Sequence, residues 1–218
     1  MTSWLHDQRL TAVIGAIRAA GARSVIDLGC GDGDLTLRLI DEPDIRRVVG
    51  VDLSLPALER LRAALEKRGG DARVSLIHGS MTAPPANLGA FDCAALVETI
   101  EHLDPGELSK LENALFGALR PRRVVMTTPN AEFNALLGVR PGGFRRPDHR
   151  FEWGRARFRK WAEGVAERAG YGVALSTIGG GHPTLGGASQ MALFDRRGAP
   201  PAHETGGAAP PAPPSSGM

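Results

Sequence analysis

A chain of 218 residues with 42% hydrophobic content has enough apolar material for one sizeable core, and a formal charge of +2 gives no whole-chain case for nucleic-acid binding. Two cysteines, Cys30 and Cys93, exclude a disulfide framework, and each adjoins an apolar run where a reduced thiol packs as a small hydrophobe, which points to a reducing cytoplasm. No basic-then-apolar leader opens the chain and no apolar stretch approaches the roughly 18 residues of a membrane span, so a soluble, unexported protein is expected.

Over residues 9–20, Leu10, Val13, Ile14 and Ile17 recur at helical spacing, and Gly21 ends the segment. Residues 24–28 read as a short buried strand, followed by a glycine-rich turn and a helix over 35–40. The same rhythm repeats: "RRVVGVD" is a strand ending at Asp52, "ALERLRAALEKRGG" a helix with Leu58, Leu61 and Leu65 on one face, and "RVSLIH" a third strand. A fourth strand covers 91–97, a helix carries Leu108, Leu111, Leu115 and Leu119, and "RRVVMTTP" is the fifth strand. After Pro129 the chain turns irregular, then a helix with Phe158, Trp161 and Val165 leads to strands at 173–178 and 190–194. Alternating strands and helices predict an α/β fold: one domain over 1–197 with a mainly parallel, seven-stranded sheet and helices on both faces. From Gly198, "GAPPAHETGGAAPPAPPSSGM" holds six of the 16 prolines and almost no large apolar residue, and a disordered tail is expected over 198–218.

The turn after the first strand, "VIDLGCGDGD", sets Gly29, Gly31 and Gly33 where the backbone can approach a ligand closely. Its G-x-G-x-G spacing departs from the pyrophosphate-binding G-x-G-x-x-G, and Asp32 and Asp34 would repel a diphosphate, so a neutral or cationic ligand fits better. Asp52, 19 residues after Gly33, ends the second strand, where a carboxylate can accept hydrogen bonds from both hydroxyls of a ribose. These features resemble the class I S-adenosylmethionine-dependent methyltransferases, which have a Rossmann-like fold. By that resemblance Asp27 and the glycines belong to the cofactor motif, Gly29 to Gly33 line the methionine part, Asp52 holds the ribose, Leu53 lies beside the adenine and Ser80 contacts the adenine edge.

"VETIEH", at the carboxyl end of the fourth strand, crowds two carboxylates and an imidazole beside the crevice where open α/β sheets bind ligands. If the chain turns helical after Val97, Glu98, Glu101 and His102 project from one face, as metal ligands or as a solvated face paired with arginines. Paired carboxylates raise one another's pKa, a cost that a divalent ion removes; carboxylate oxygen suits Mg²⁺ or Mn²⁺, and imidazole shifts the preference toward Mn²⁺. A fourth ligand is then expected from among His6, His78, His149, His182 and His203. His149 stands apart, because between Gly138 and Lys160 seven arginines and Lys160 face only Asp148 and Glu152, a local net charge of +6. Phe144, Phe151 and Trp153 interleave with these charges, a pattern that suits an unpaired RNA end, although a solvated loop with its aromatics tucked into the core has the same composition.

"ETIEHL" with the later "RRPDHRFEW", the early "LHDQRL" and "TTPNAEFN" after the fifth strand together resemble the small-RNA 3′-terminal ribose 2′-O-methyltransferases of the Hua-enhancer type. The resemblance implies a divalent metal bound by Glu98, Glu101, His102 and His149, which thereby carry the catalysis, S-adenosylmethionine as donor, a single-stranded RNA 3′ end as substrate and, as for bacterial relatives, coupling to an RNA-repair partner. Asn130 and Asn134 could position substrate or cap a turn, and Trp4 and Arg9 could grip ligand or pack the first helix. Two other readings fit the same residues: a metal-independent small-molecule O-methyltransferase with a histidine base, and a noncatalytic RNA-end-binding module.

Overall fold

The computed structural model describes residues 4–199; the tail expected over 198–218 lies, from residue 200, outside the described residues, as does His203. Among the described residues five α-helices and seven strands follow in chain order. Helix α1 (Trp4–Ala19) starts earlier than the apolar spacing from Leu10 announces, because residues 4–9 are not buried and so carry no core-facing period, and it buries Leu10, Val13, Ile14 and Ile17. Then come β1 (Ser24–Leu28), α2 (Asp34–Leu39), β2 (Arg47–Asp52), α3 (Leu55–Lys67) and β3 (Val74–His78). Ser54 caps α3 by accepting from the Ala57 N–H at 3.3 Å, with Pro56 in its first turn, and Leu58, Leu61 and Leu65 form the buried face.

Strand β4 (Cys93–Val97) begins two residues later than expected, since Phe91 packs into the core ahead of it under the Arg47 guanidinium. Helix α4 (Leu108–Glu112) widens into a π-helical continuation over Asn113–Leu119, so Leu108, Leu111 and Leu115 still face the core. After β5 (Arg123–Pro129), the irregular stretch contains 3₁₀ turns over Ala131–Leu137; α5 (Arg155–Ala169), β6 (Tyr171–Ile178) and β7 (Ser189–Arg196) complete the chain.

The strands form one sheet in the order β3-β2-β1-β4-β5-β7-β6, parallel except for β7, which runs antiparallel to both of its neighbours. The expected seven-stranded, mainly parallel sheet is therefore present. Its central strands are near-continuous apolar runs because helices cover both faces: β1 and β4 are buried along almost their whole length. One core layer joins Ile26, Leu96, Met126 and Phe194 to α4 and α5, and the other joins Val25, Val48 and Val125 to α1 and α2. The order reverses at β1, where β2 lies on one side and β4 on the other, so a crevice opens between the carboxyl ends of β1 and β4. Among the described residues no helix is long and apolar enough to cross a membrane.

Candidate functional site

A cavity of about 400 Å³ occupies that crevice, with Gly29, Gly31, Asp52, Leu53, Met81 and Thr99 in its wall. Gly29 has φ 77°, and a Cβ there would stand 2.5 Å from Thr99 Cγ2, so only glycine fits the turn. The Gly31 N–H donates to Asp52 Oδ2 at 2.7 Å and the Ser54 N–H donates to Oδ1 at 2.7 Å. These two bonds brace the carboxylate and leave each oxygen a further acceptor site. Leu53, 63% exposed, stands at the mouth.

Three of the expected cofactor residues stand back from this wall. A Cβ on Gly33 would meet Leu61 Cδ1 at 2.1 Å, so packing on α3 requires that glycine. Asp27 is buried beneath the turn, where its Oδ2 accepts the Thr36 hydroxyl at 2.9 Å and burial pushes its carboxyl up to about 7. The Ser80 hydroxyl pairs with Thr82 at 2.8 Å, and its neighbours Gly79 and Met81 line the cavity instead. Burial raises the pKa of both cysteines, Cys93 to about 12, which keeps them as inert packing groups.

A second cavity, of about 580 Å³, meets the first across Val97, Glu98, His102 and Arg146. Here the expected single helical face does not form. Glu98 adopts φ 53°, a left-handed conformation that costs a non-glycine residue energy, and the chain then makes only a 3₁₀ turn over Ile100–His102. The kink swings the Glu98 carboxylate toward Arg9, with Oε1 3.1 Å from Nε but without hydrogen-bond alignment, while Glu101 and His102 continue toward His149. Ligand atoms of Glu101, His102 and His149 lie within 4.8 Å of one another, and Glu98 lines the same cavity outside that trio.

Glu101 is fully buried; its Oε2 accepts the Thr128 hydroxyl at 2.9 Å and its Oε1 has no hydrogen-bond partner among the described residues. Burial first, and the neighbouring Glu98 charge second, hold its carboxyl well above the usual range. The two imidazoles stand edge to face, 4.8 Å apart, and each has its Nδ1 beside a carboxylate: His149 at 2.6 Å from Glu152 Oε1, His102 at 3.3 Å from Asp148 Oδ2. Both therefore keep Nε2 available. Burial lowers the pKa of His102, which favours the neutral ring that a metal requires. An unpartnered buried carboxylate oxygen beside two oriented imidazoles is a donor set that suits a divalent cation.

Sequence reasoning singled out His149 but missed what holds it. Glu152, almost fully buried, accepts from the Asn134 side-chain N–H at 2.5 Å and the Arg145 N–H at 2.7 Å besides facing His149, and the only sequence signal is its spacing three residues after that histidine. Arg145 donates to Asn134 Oδ1 and to the Asn130 carbonyl, both at 2.6 Å, and burial lowers its pKa. Of the four aromatics in the basic segment, Phe158 is buried in the core, and Phe151 and Trp153 are buried and stacked on each other at 4.4 Å, so none of these can receive a base; Phe144 alone is exposed. Asn130 is a buried strut bonded to the Leu185 and Gly187 carbonyls. Arg9 faces the second cavity, whereas Trp4 is 63% exposed. His78 and His182 bond locally, to the Leu53 carbonyl and to Thr184, away from the trio.

The Methyltransferase domain family matches residues 25–122. The small RNA 2′-O-methyltransferase of Xenopus tropicalis is 36% identical over 205 residues, an alignment covering 88% of this chain and 55% of that protein. The methyltransferase domain of bacterial CtHen1 superposes with a TM-score of 0.78 at 35% identity, covering 88% of this chain and 99% of that domain. The small RNA methyltransferase HEN1 gives 0.83 at 32% identity, covering 88% of this chain and 26% of its own. The chain spans about half the length of the curated vertebrate relatives it matches. It belongs to the Hen1 family of small-RNA methyltransferases, in agreement with the resemblance carried by "ETIEHL" and "RRPDHRFEW".

Proposed function

We propose that the chain transfers a methyl group from S-adenosylmethionine to the 2′-hydroxyl of the 3′-terminal ribose of RNA, with Mg²⁺ or Mn²⁺ held by Glu101, His102 and His149. Glu98, paired with Arg9, is the candidate fourth ligand. The observation that carries the reading is the junction of two cavities at Glu98 and His102, one walled by the glycine turn and Asp52, the other by the Glu101–His102–His149 trio. A donor seated in the first would face an acceptor seated in the second.

Each residue has a task under this reading. Asp52, braced by two N–H groups, accepts from the ribose hydroxyls of the cofactor, and Gly29 and Gly31 admit its methionine part. Arg9, Arg145 and Arg146 line the acceptor cavity and offer positive charge to phosphates. When bound, a divalent ion supplies Lewis acidity that lowers the pKa of a nearby hydroxyl. Glu152 and Asp148 hold the imidazoles in orientation through Nδ1. Attack on a sulfonium methyl neutralises opposite charges, so the apolar floor of Val97, Met81 and Val51 favours the transition state by excluding water.

A histidine-base mechanism on a small molecule leaves the buried, unpartnered Glu101 oxygen without a task, and the cluster of arginines without an anion. The test is methyl transfer from labelled S-adenosylmethionine to single-stranded RNAs ending in a free diol, a 3′-phosphate or a 2′-deoxyribose. Transfer to the diol alone is expected. Equal transfer to all three, or tight RNA binding with no transfer, would overturn the reading.

A further inference from the structure

We propose that Phe144 forms a stacking subsite for an unpaired nucleobase next to the reacting ribose, an inference that rests on the proposed RNA substrate. The side chain opens onto a cavity of about 380 Å³, the size of one nucleotide unit, whose wall includes Ala135, Val139, Arg140 and Glu152. This cavity and the acceptor cavity share a partition. Leu137 faces the acceptor side while Ala135 and Val139 face the Phe144 side, and the Glu152 carboxylate lines the Phe144 side while its Oε1 holds His149 on the other.

The exposure of Phe144 is built into the chain. Arg140-Pro141-Gly142-Gly143 closes a turn through the Gly143 N–H to the Arg140 carbonyl at 2.9 Å, with Gly142 at φ 75°, the glycine position of a type II turn whose second residue is proline. On the other side, the Arg145 N–H is tied to the buried Glu152 carboxylate at 2.7 Å. Held between these two anchors, Phe144 remains 44% exposed, whereas Phe151 and Trp153 of the same segment are buried. An aromatic ring kept in solvent by two fixed neighbours exposes a π-face, and any base can stack on it.

Charge identifies the occupant. Arg140, exposed on the rim, has no acidic partner among the described residues, and Arg146 on the acceptor side pairs only with Asp148 at 3.4 Å, on the surface. The acid in the cavity wall is already engaged: Glu132 is bound by Arg155 at 2.7 Å, and Glu152 by Asn134, Arg145 and His149. A ring beside unspent cations fits a base with its phosphate and not an apolar peptide.

The test is equilibrium binding of single-stranded RNAs carrying 2-aminopurine at the terminal or at the penultimate nucleotide, to the full chain and to Phe144→Ala and Phe144→Tyr. The proposal expects the fluorescence of one position to be quenched on binding, with quenching lost and affinity lowered about tenfold in Phe144→Ala and both kept in Phe144→Tyr. RNA lacking that base should bind wild type and Phe144→Ala equally. Identical quenching and affinity in wild type and Phe144→Ala, or no RNA binding at all, would overturn the subsite. Failure of the proposed function reads out separately, as absence of methyl transfer by the wild type to any diol-ended RNA.

Discussion

The main-chain N–H of Arg150 donates to the Glu101 carbonyl oxygen at 2.7 Å, and this bond sets His149 beside His102. Segments far apart in sequence are thereby fixed by backbone, so the placement of the proposed ligand trio does not depend on the side chains it brings together. Substitution of a single ligand should accordingly leave the fold in place.

Mn²⁺ at about 100 times its Kd should stabilise the protein by ~2.7 kcal/mol by mass action. Glu101→Gln should lose that increment while the metal-free unfolding midpoint stays close to wild type, because an amide replaces a carboxylate whose ionisation burial already disfavours. Thermal unfolding with and without Mn²⁺ checks this; an unchanged metal increment in Glu101→Gln would remove Glu101 from the site.

Glu152→Ala should lower metal affinity by roughly 10- to 100-fold, since His149, the proposed ligand, loses the carboxylate that fixes its Nδ1. Calorimetric titration with Mn²⁺ measures the loss, and Asp148→Ala, whose contact with His102 is longer and half exposed, should cost less.

Asp52→Ala should weaken binding of S-adenosylhomocysteine by about 10- to 100-fold, the value of one or two hydrogen bonds to a charged acceptor. Metal binding should be untouched. Equal affinity in the variant would place the ribose elsewhere.

Two glycines of one turn should separate structure from binding. Gly33→Ala forces a Cβ to 2.1 Å from Leu61 Cδ1 at φ 89° and should cost ~2 kcal/mol or more in stability. Gly31→Ala meets open space at φ 53° and should cost about 1 kcal/mol, with its main effect on cofactor affinity. Denaturant unfolding and cofactor titration of both variants test the distinction.

Asp27, raised from 3.8 to about 7, gives the unliganded protein a pH dependence of definite sign. The folded state holds the proton more tightly, so the contribution of Asp27 is full below about pH 4 and is lost as pH rises through about 7, by at most ~4 kcal/mol. Asp27→Asn should flatten that interval. Stability rising from pH 4 to 7 in the wild type but not in the variant would contradict the assignment.

Much of this was legible in the sequence. The parallel sheet could be read because β1, β2, β4 and β5 are buried on both faces and therefore appear as unbroken apolar runs between helical periods. The turn glycines and Asp52 could be read because their spacing is local. Less could be foreseen where side-chain direction depends on tertiary context: nothing in "VETIEH" announces a left-handed Glu98, and helical spacing misassigned the three side chains to one face. Phe151 and Trp153 were ambiguous because burial against α5 and exposure to RNA ask for the same residue types. The roles of Asp27 and Gly33 were similarly hidden, since Thr36 and Leu61 meet them only in the folded chain.

The most direct measurement is the rate of methyl transfer from labelled S-adenosylmethionine to a diol-ended single-stranded RNA, in Mn²⁺ and in excess chelator, for wild type and His149→Ala. Transfer by the wild type is expected only in Mn²⁺, with none by His149→Ala in either condition. Transfer that continues undiminished in chelator, or in His149→Ala, would contradict that expectation.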